Sequence, residues 1–167
     1  AQTMVNCPVR VTITPDEPAV ERIAQKVLFV EKKNKDALLV SLLNDGRINK
    51  ALIFTQMKHA ASRVAKKLDA SGIRGTPIHG NKSQAARTKA LDGFKQGRYR
   101  VLVATDVAAR GLDIRGISHV INLDLPMVAE DYIHRIGRTG RAGDKGHAIS
   151  LVGPGDWEKL SRIERLT

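Results

Sequence analysis

Cysteine is almost absent from this chain, since Cys7 is the only one among 167 residues. One cysteine excludes a disulfide within the chain and a metal cluster built on several cysteines, and it favours a reducing, cytoplasmic compartment. No apolar run approaches the roughly 18 residues needed to span a bilayer, and residues 1–17 lack the apolar core of a signal peptide. We therefore expect a cytoplasmic protein without a membrane segment.

Aromatic residues are also scarce, at 4% of the chain. Modules that bind single-stranded nucleic acid commonly stack bases on exposed aromatic rings, so this shortage counts against a simple stacking module. The phenylalanines fall at predicted core positions, which leaves few rings for such a role: Tyr99, Tyr132 and Trp157. The histidines at 59, 119 and 147 show no spacing typical of a metal site, and we predict none.

A complete phosphate-binding P-loop is missing as well. The stretch Gly80-Asn-Lys-Ser resembles the end of that motif, but Asn81 separates the glycine from Lys82. The motif also requires a glycine five residues before the lysine, where this chain has Pro77. Because no other Gly-Lys-Ser/Thr occurs, the chain has no P-loop of its own.

Positive charge is abundant, with 28 lysines and arginines against 17 acidic residues and a formal net charge of +11. The basic residues are spread along the chain, which favours a polyanionic partner such as nucleic acid or nucleotide phosphate. A soluble basic surface without a specific partner is the alternative. The length fits one domain with a single core.

Apolar runs rich in Val, Ile and Leu alternate with helical patterns, which predicts an α/β fold with a parallel sheet flanked by helices. The predicted strands are 26–30, 51–55, 100–105, 119–125 and 147–152, with a short strand before His79. Helical stripes are formed by Leu38, Leu39, Leu42 and Leu43, by Ala61, Val64, Ala65 and Leu68, and by Trp157, Leu160 and Ile163. Gly72 predicts the end of the second of these helices.

The first 20 residues contain three prolines among polar and β-branched residues, at positions 8, 15 and 18. This composition is typical of an extended connector. We therefore predict a linker over residues 1–20 and one folded domain over residues 21–167.

In an open parallel sheet, ligands gather outside the carboxyl ends of the strands, so we sought functional residues directly after each apolar run. The first polar cluster is 78–87, where Ser83 is a predicted N-cap. Gln84 and Arg87 are in phase with the apolar Leu91 and Phe94, which predicts that they lie at the rim of the sheet. They suit a backbone phosphate, although a covered helix end with an ordinary salt bridge is equally compatible with these residue types.

The second cluster is 103–113, again directly after a predicted strand. Asp106 is expected to cap a single helical turn that ends at Arg110. Capping does not explain the other polar residues at this edge. The Thr105 hydroxyl and the Arg110 guanidinium suit phosphate oxygens, and the Asp113 carboxylate suits a ribose hydroxyl.

The third cluster is the segment HRIGRTGRAG at 134–143, which follows a predicted helix over 129–136. Gly137 and Gly140 would each cost about 1 kcal/mol against alanine inside a helix, so close approach of the backbone to a partner is a reason for their presence. Arg138 and Arg141 carry permanent charges that can project to one side. A solvated basic loop is the simpler interpretation from spacing alone.

Together these clusters resemble the second RecA-like lobe of DEAD-box RNA helicases, a group of superfamily 2, over about 27–152. Four segments carry the resemblance in order and spacing: ALIFTQMK at 51–58 is similar to motif IV, HGNKSQAAR at 79–87 to the HG and QxxR segment, VLVATDVAARGLDI at 101–114 to motif V, and HRIGRTGRAG at 134–143 to motif VI. Among bacterial members the chain resembles the RhlE-like subgroup. The resemblance implies a single RecA-like lobe.

The resemblance also implies roles for individual residues. Contacts to the RNA sugar-phosphate backbone are implied for Gly80, Gln84, Arg87, Thr105 and Arg110. Residues implied to face ATP are Asp113, Arg138 and Arg141, with the two arginines acting as catalytic fingers on the γ-phosphate. His134 and Arg135 are implied to make contacts across the cleft between the lobes.

ATP and Mg²⁺ are implied to be held mainly by a first lobe, since the lysine of the P-loop, the DEAD sequence and the SAT element of the family are absent from this chain. The expected partners are RNA and that first lobe, and this lobe by itself is expected to be monomeric and inactive. Two alternatives remain open: a non-catalytic RNA-binding module, and a lobe of a superfamily 2 DNA helicase or translocase. RNA is distinguished from DNA by contacts to the 2′-hydroxyl, which a sequence does not display.

Overall fold

The computed structural model describes residues 23–140 and 145–167. The predicted linker over residues 1–20 and the predicted catalytic Arg141 lie outside these ranges. Within them, no helix has the length and apolar character that a membrane crossing requires.

The described residues form one parallel sheet of six strands, as the alternating pattern predicts. The strands are β1 Ile23–Phe29, β2 Ala51–Phe54, β3 Gly75–Ile78, β4 Val101–Ala104, β5 His119–Asn122 and β6 Gly146–Val152. Their order across the sheet is β1-β6-β5-β2-β4-β3, and every neighbouring pair is parallel. The carboxyl ends of all six strands therefore meet at one edge, which we call the carboxyl edge. The opposite edge is the amino edge.

Helices cover both faces of the sheet, which confirms the predicted RecA-like arrangement. They are α1 Lys35–Asn44, α2 Lys58–Ala70, α3 Gln84–Lys95, α4 Asp106–Ala109, α5 Ala129–Ile136 and α6 Trp157–Leu166. Helices α1 and α2 pack on one face with the core residues of β2, β4 and β5 such as Ile53, Val103 and Ile121. On the other face, α3 and α4 pack near Phe94, and α5 and α6 pack near Tyr132.

The predicted helical stripes are largely buried. All four residues of the α2 stripe are buried, and Gly72 adopts a φ of 78°, a left-handed conformation that suits glycine after a helix. In α6, Leu160 and Ile163 are buried, but Trp157 is 57% exposed and stacks on Phe29 at 4.9 Å between ring centroids. Trp157 is therefore a surface residue and not part of the core stripe, because it occupies the first position of the helix at the edge of the sheet.

Candidate functional site

The first predicted cluster lies at the carboxyl edge, where β3 ends and α3 begins. Ser83 is the N-cap, since its Oγ accepts a hydrogen bond of 3.2 Å from the backbone N–H of Ala86. Gly80 and Gln84 are exposed, and Arg87 is half-buried. The predicted rim position therefore fits Arg87, whereas Gln84 stands in open solvent one turn earlier.

Two residues near Gly80 extend this cluster beyond the predicted set. Lys58, the first residue of α2, donates a hydrogen bond of 3.0 Å from Nζ to Asn81 Oδ1. A side chain added at Gly80 would lie 3.6 Å from the Cε and Nζ atoms of Lys58. Gly80 thus lies within contact distance of the Lys58 ammonium group. Lys58 ends the segment at 51–58, shortly after β2. Its position after a strand could therefore have identified it from the sequence.

Buried polar atoms beneath this surface form a second layer that the sequence analysis did not identify. His79 is 6% exposed, and its Nε2 lies 2.8 Å from Ser62 Oγ, while Nδ1 is buried without a hydrogen-bond partner. The Nε atom of Arg87 is likewise buried without a partner. Burial lowers the pKa of His79, and the charges of Lys82 and Lys58 lower it further. The ring is therefore neutral near pH 7, and the positive charge of this cluster comes from its lysines and arginine.

The second cluster begins as predicted after β4, but its helical turn is capped differently. Thr105 occupies the N-cap position, although its side chain makes no capping hydrogen bond, and Asp106 is the first helical residue. The predicted capping role of Asp106 is wrong because its carboxylate is directed to Arg135 of α5. Thr105 is only 7% exposed, so the threonine predicted to bind RNA presents little surface in this arrangement.

Arg135 is buried within the lobe, at 1% exposure. Its Nε and Nη2 donate to the two carboxylate oxygens of Asp106 at 2.6 and 2.7 Å. Its Nη1 donates to Asn122 Oδ1 at 3.1 Å and to the Asp124 carbonyl at 2.7 Å. The guanidinium also lies 4.8 Å from the ring centre of Phe54. We therefore correct the expectation that Arg135 contacts a second lobe, because its donors are already used inside this one.

The exposed residues around α5 remain compatible with their predicted roles. Arg110 donates a hydrogen bond of 2.9 Å from Nη2 to Asp131 Oδ1, and its side chain is 66% exposed. His134 has a 72% exposed side chain, and its Nδ1 lies 3.8 Å from the same Asp131 oxygen. Arg110 and His134 thus lie on one surface beside Asp131, which is hydrogen-bonded to Arg110.

Arg138 does not lie at the carboxyl edge, where the sequence analysis expected the third cluster. Helix α5 begins after β5 at that edge and runs back along the sheet. At 1.5 Å per residue its eight residues span about 12 Å, close to the length of a four-residue strand. Thr139 therefore reaches the start of β5, where its Oγ1 donates to the Ile117 carbonyl at 2.6 Å. The first and second clusters lie at the carboxyl edge, as expected, but the third cluster does not.

Arg138 instead lies on the flank of the lobe beside the segment that connects α4 to β5. Its Nη1 donates a hydrogen bond of 2.9 Å to the Leu112 carbonyl, next to the exposed Asp113. The structure thus brings Arg138 close to the Asp113 segment, two parts of the predicted nucleotide site that are 25 residues apart in sequence.

Contacts inside the lobe account for Gly140, which the sequence analysis attributed to a partner. Gly140 has a φ of 69°, and a Cβ there would lie 3.1 Å from Ile23 Cγ1. A Cβ on Gly146 would lie 2.6 Å from the backbone N of Gly140. These glycines let the segment after α5 pack against the starts of β1 and β6, which fixes the backbone that carries Arg138.

Comparison with known families identifies the same segments. The model of the helicase conserved C-terminal domain matches residues 34–143. The chain is 43% identical over its whole length to the DEAD-box ATP-dependent RNA helicase CshA of Geobacillus kaustophilus, of which it covers 36%. The chain thus spans about a third of the length of that curated relative, and between 21% and 36% of the relatives it resembles at this level.

Solved structures show the same fold. The Escherichia coli DEAD-box protein SrmB, determined with the regulator of ribonuclease activity A, superimposes with a TM-score of 0.80 at 41% identity, covering 83% of this chain and 82% of that chain. The C-terminal domain of the DEAD-box protein Dbp5 superimposes with a TM-score of 0.79 at 37% identity, covering 87% of this chain and 86% of that domain. Both chains therefore share the parallel-sheet fold described above.

Proposed function

Because this chain belongs to the helicase conserved C-terminal domain family, in the form found in DEAD-box RNA helicases, we propose that it is the second lobe of an RNA-dependent ATPase. In this proposal ATP and RNA bind across a cleft between this lobe and a first lobe. ATP hydrolysis then drives local opening of RNA duplexes. The similarity to the RhlE-like subgroup stays a prediction.

The observation that carries the proposal is the hydrogen bond between Arg138 and the Leu112 carbonyl. This bond places the Arg138 guanidinium beside the segment of Asp113, on one flank of the lobe. A nucleotide needs both kinds of group: a cation for its phosphates and a hydrogen-bond acceptor for its ribose. An arginine suits γ-phosphate oxygens, and a carboxylate accepts a hydrogen bond from a ribose hydroxyl. Arg141, three residues further along, would supply the second cation.

The residues of this lobe would act on ATP by charge and position. Closure of the cleft would bring Arg138 and Arg141 to the γ-phosphate, where they stabilise the negative charge that develops in the transition state. Mg²⁺, held mainly by the first lobe, neutralises phosphate charge when bound. The exposed His134 would meet the facing lobe. Opening of the cleft after hydrolysis would release the RNA.

The RNA side of the proposal rests on the carboxyl edge. Gly80 and Gln84 expose a backbone turn and an amide, and Lys58 and Arg87 supply positive charge beside them. Such groups bind sugar and phosphate without reading bases, so we expect little sequence preference. Arg110 would join them from the exposed start of the segment that leads to Asp113.

The test is RNA-stimulated ATP turnover by the two-lobe protein carrying Arg138→Ala. Arginine fingers typically contribute about 10³ to 10⁵ in rate, so we expect turnover to fall at least a thousandfold with nucleotide affinity largely retained. Arg138→Lys keeps the charge but loses the planar fork, and it should also fail. DNA replaces RNA in a parallel series and should not stimulate turnover.

Arg162→Ala is the matched control, because Arg162 is an exposed arginine on α6 that pairs with Glu158 of the same helix. It should leave turnover unchanged. A folded Arg138→Ala protein with turnover within twofold of wild type would disprove the catalytic role. Equal stimulation by DNA would favour the alternative of a DNA translocase.

A further inference from the structure

Two histidines that are 28 residues apart in sequence lie side by side at the amino edge of the sheet. His119 begins β5, and the parallel register pairs it with His147 of β6. Their rings stack with centroids 4.7 Å apart and planes inclined by 15°. They lie on the face covered by α1 and α2, whereas Arg138 follows α5 on the opposite face. The histidine pair thus lies on the face of the sheet opposite to α5 and at the edge opposite to the proposed RNA surface.

The hydrogen bonds around Ser118 favour the tautomer of His119 that carries its proton on Nδ1. Ser118 Oγ accepts from the Lys50 N–H at 3.2 Å and lies 2.9 Å from the Lys50 carbonyl, to which its hydroxyl can donate. With the hydroxyl proton on that carbonyl, the oxygen accepts from His119 Nδ1, which lies 3.0 Å away. With the proton on Nδ1, the lone pair is on Nε2. Metal-binding histidines usually have this second hydrogen bond, which fixes the ring and its tautomer.

The surroundings of the pair leave it open to a small ligand. The register partner of His147 on β1 is Ala24, an exposed residue with a minimal side chain, and His147 is itself exposed. In the adjoining turn, Arg47 and Asp45 pair with each other through two hydrogen bonds of 2.6 Å. Burial lowers the pKa of His119 to about 4, with smaller contributions from His147 and Arg47.

We propose that His119 and His147 form a two-imidazole site for a late first-row divalent transition metal, with Ni²⁺, Cu²⁺ and Zn²⁺ as the matching ions. Neutral imidazole suits these metals, and water would complete the coordination. Sequence spacing does not reveal this site because the two ligands become neighbours only through the β5–β6 pairing.

The rings must tilt towards each other to chelate one ion. Zn–N bonds of about 2.0–2.1 Å and a tetrahedral angle place two ligating nitrogens about 3.4 Å apart. The rings stack nearly parallel with centroids 4.7 Å apart, so binding must bring one nitrogen of each ring closer together than the centroids are. His119 is held by Ser118, so the exposed His147 would make most of this movement.

Calorimetric titration of the chain with Ni²⁺ at pH 7.5 tests the site, in a Cys7→Ser background that removes the only thiol. We expect one Ni²⁺ per chain with a dissociation constant below 1 mM. His147→Gln and His119→Gln should each weaken binding at least tenfold. Ser118→Ala should weaken it about 10- to 100-fold by releasing the ring of His119. Paramagnetic broadening by Ni²⁺ should be strongest for backbone amides at the starts of β5 and β6.

The control is His59→Gln, which removes an exposed histidine of α2 and should change affinity less than twofold. His147 is exposed, so its variant should keep the fold, and an unchanged melting temperature without metal checks this. Binding that survives His147→Gln, broadening centred elsewhere, or a dissociation constant above 1 mM would each overturn the proposal.

Discussion

Loss of the Asp106 carboxylate should destabilise this lobe more than the partial exposure of Asp106 suggests, because its partner is buried. The side chain of Arg135 is 1% exposed and that of Asp106 is 25% exposed. Asp106 accepts two of the four hydrogen bonds that the guanidinium donates. In Asp106→Ala the positive charge would keep only neutral oxygen partners on Asn122 and Asp124. A buried charge without its counter-ion is among the costliest defects in a protein.

The magnitude follows from measured cases of this kind. Removal of one partner of a buried ion pair costs about 3–5 kcal/mol. Water can reach the Asp106 side of the pair, so we expect the lower end, about 3 kcal/mol. For a domain of this size each kcal/mol lowers the melting temperature by about 2–4 °C, which predicts a decrease of about 6–12 °C.

Urea unfolding followed by circular dichroism measures this free energy directly. Asp113→Ala is the control, because Asp113 is an exposed carboxylate in the same segment and should change stability by less than about 0.5 kcal/mol. Arg135→Met completes a double-mutant cycle, and the double variant should be more stable than the sum of the single effects predicts. Additive effects, or a loss below about 1 kcal/mol in Asp106→Ala, would refute the importance of the ion pair.

Two further predictions concern packing and pH. Gly146→Ala should cost about 1–3 kcal/mol in urea unfolding, because its Cβ would lie 2.6 Å from the backbone of Gly140, whereas Gly155→Ala has open space and should be neutral. The pKa of His119 is about 4 in the folded state, below the ordinary histidine value of 6.5, so only the unfolded state takes up a proton between these values. Stability should therefore fall as the pH decreases from about 6.5 to 4, by about 1–2 kcal/mol for this half-exposed ring. The same pH series on His119→Gln should show a smaller decrease, and an equal decrease would contradict the assignment.

The fold was predictable from the sequence because its strands are continuous apolar runs. Strands such as β2 and β4 are buried along their whole length, so hydrophobicity alone marks them. The α2 stripe was equally clear, since a buried face at helical spacing leaves a pattern within one segment. The prediction that Trp157 belongs to the buried stripe of α6 was wrong. Trp157 has the helical spacing of that stripe, but it is the first residue of the helix and does not reach the core.

The candidate site was predictable where function depends on residues that follow one strand, and less so where it depends on pairing between segments. Gly80 and Gln84 lie at the edge that the topology rule indicates. The position of Arg138 required the direction and length of α5, which a residue pattern does not supply. The partner of Asp106 was hidden for a similar reason, because Arg135 lies 29 residues away.

A buried ion pair needs an explanation, because well-packed apolar side chains of similar volume often give equal or greater stability. Apolar residues would not fix the position of α4 relative to α5 with the same directional restraint as two parallel hydrogen bonds. That relative position matters in the proposed enzyme, since Asp106 directly follows Thr105 on the RNA side and Arg135 precedes Arg138 on the ATP side by one helical turn. In that proposal the pair would link the segment that begins at Thr105 with α5, which ends two residues before Arg138, so a displacement of one would act on the other. Two directional hydrogen bonds in place of apolar packing are what a lobe that presents both surfaces in fixed register would require.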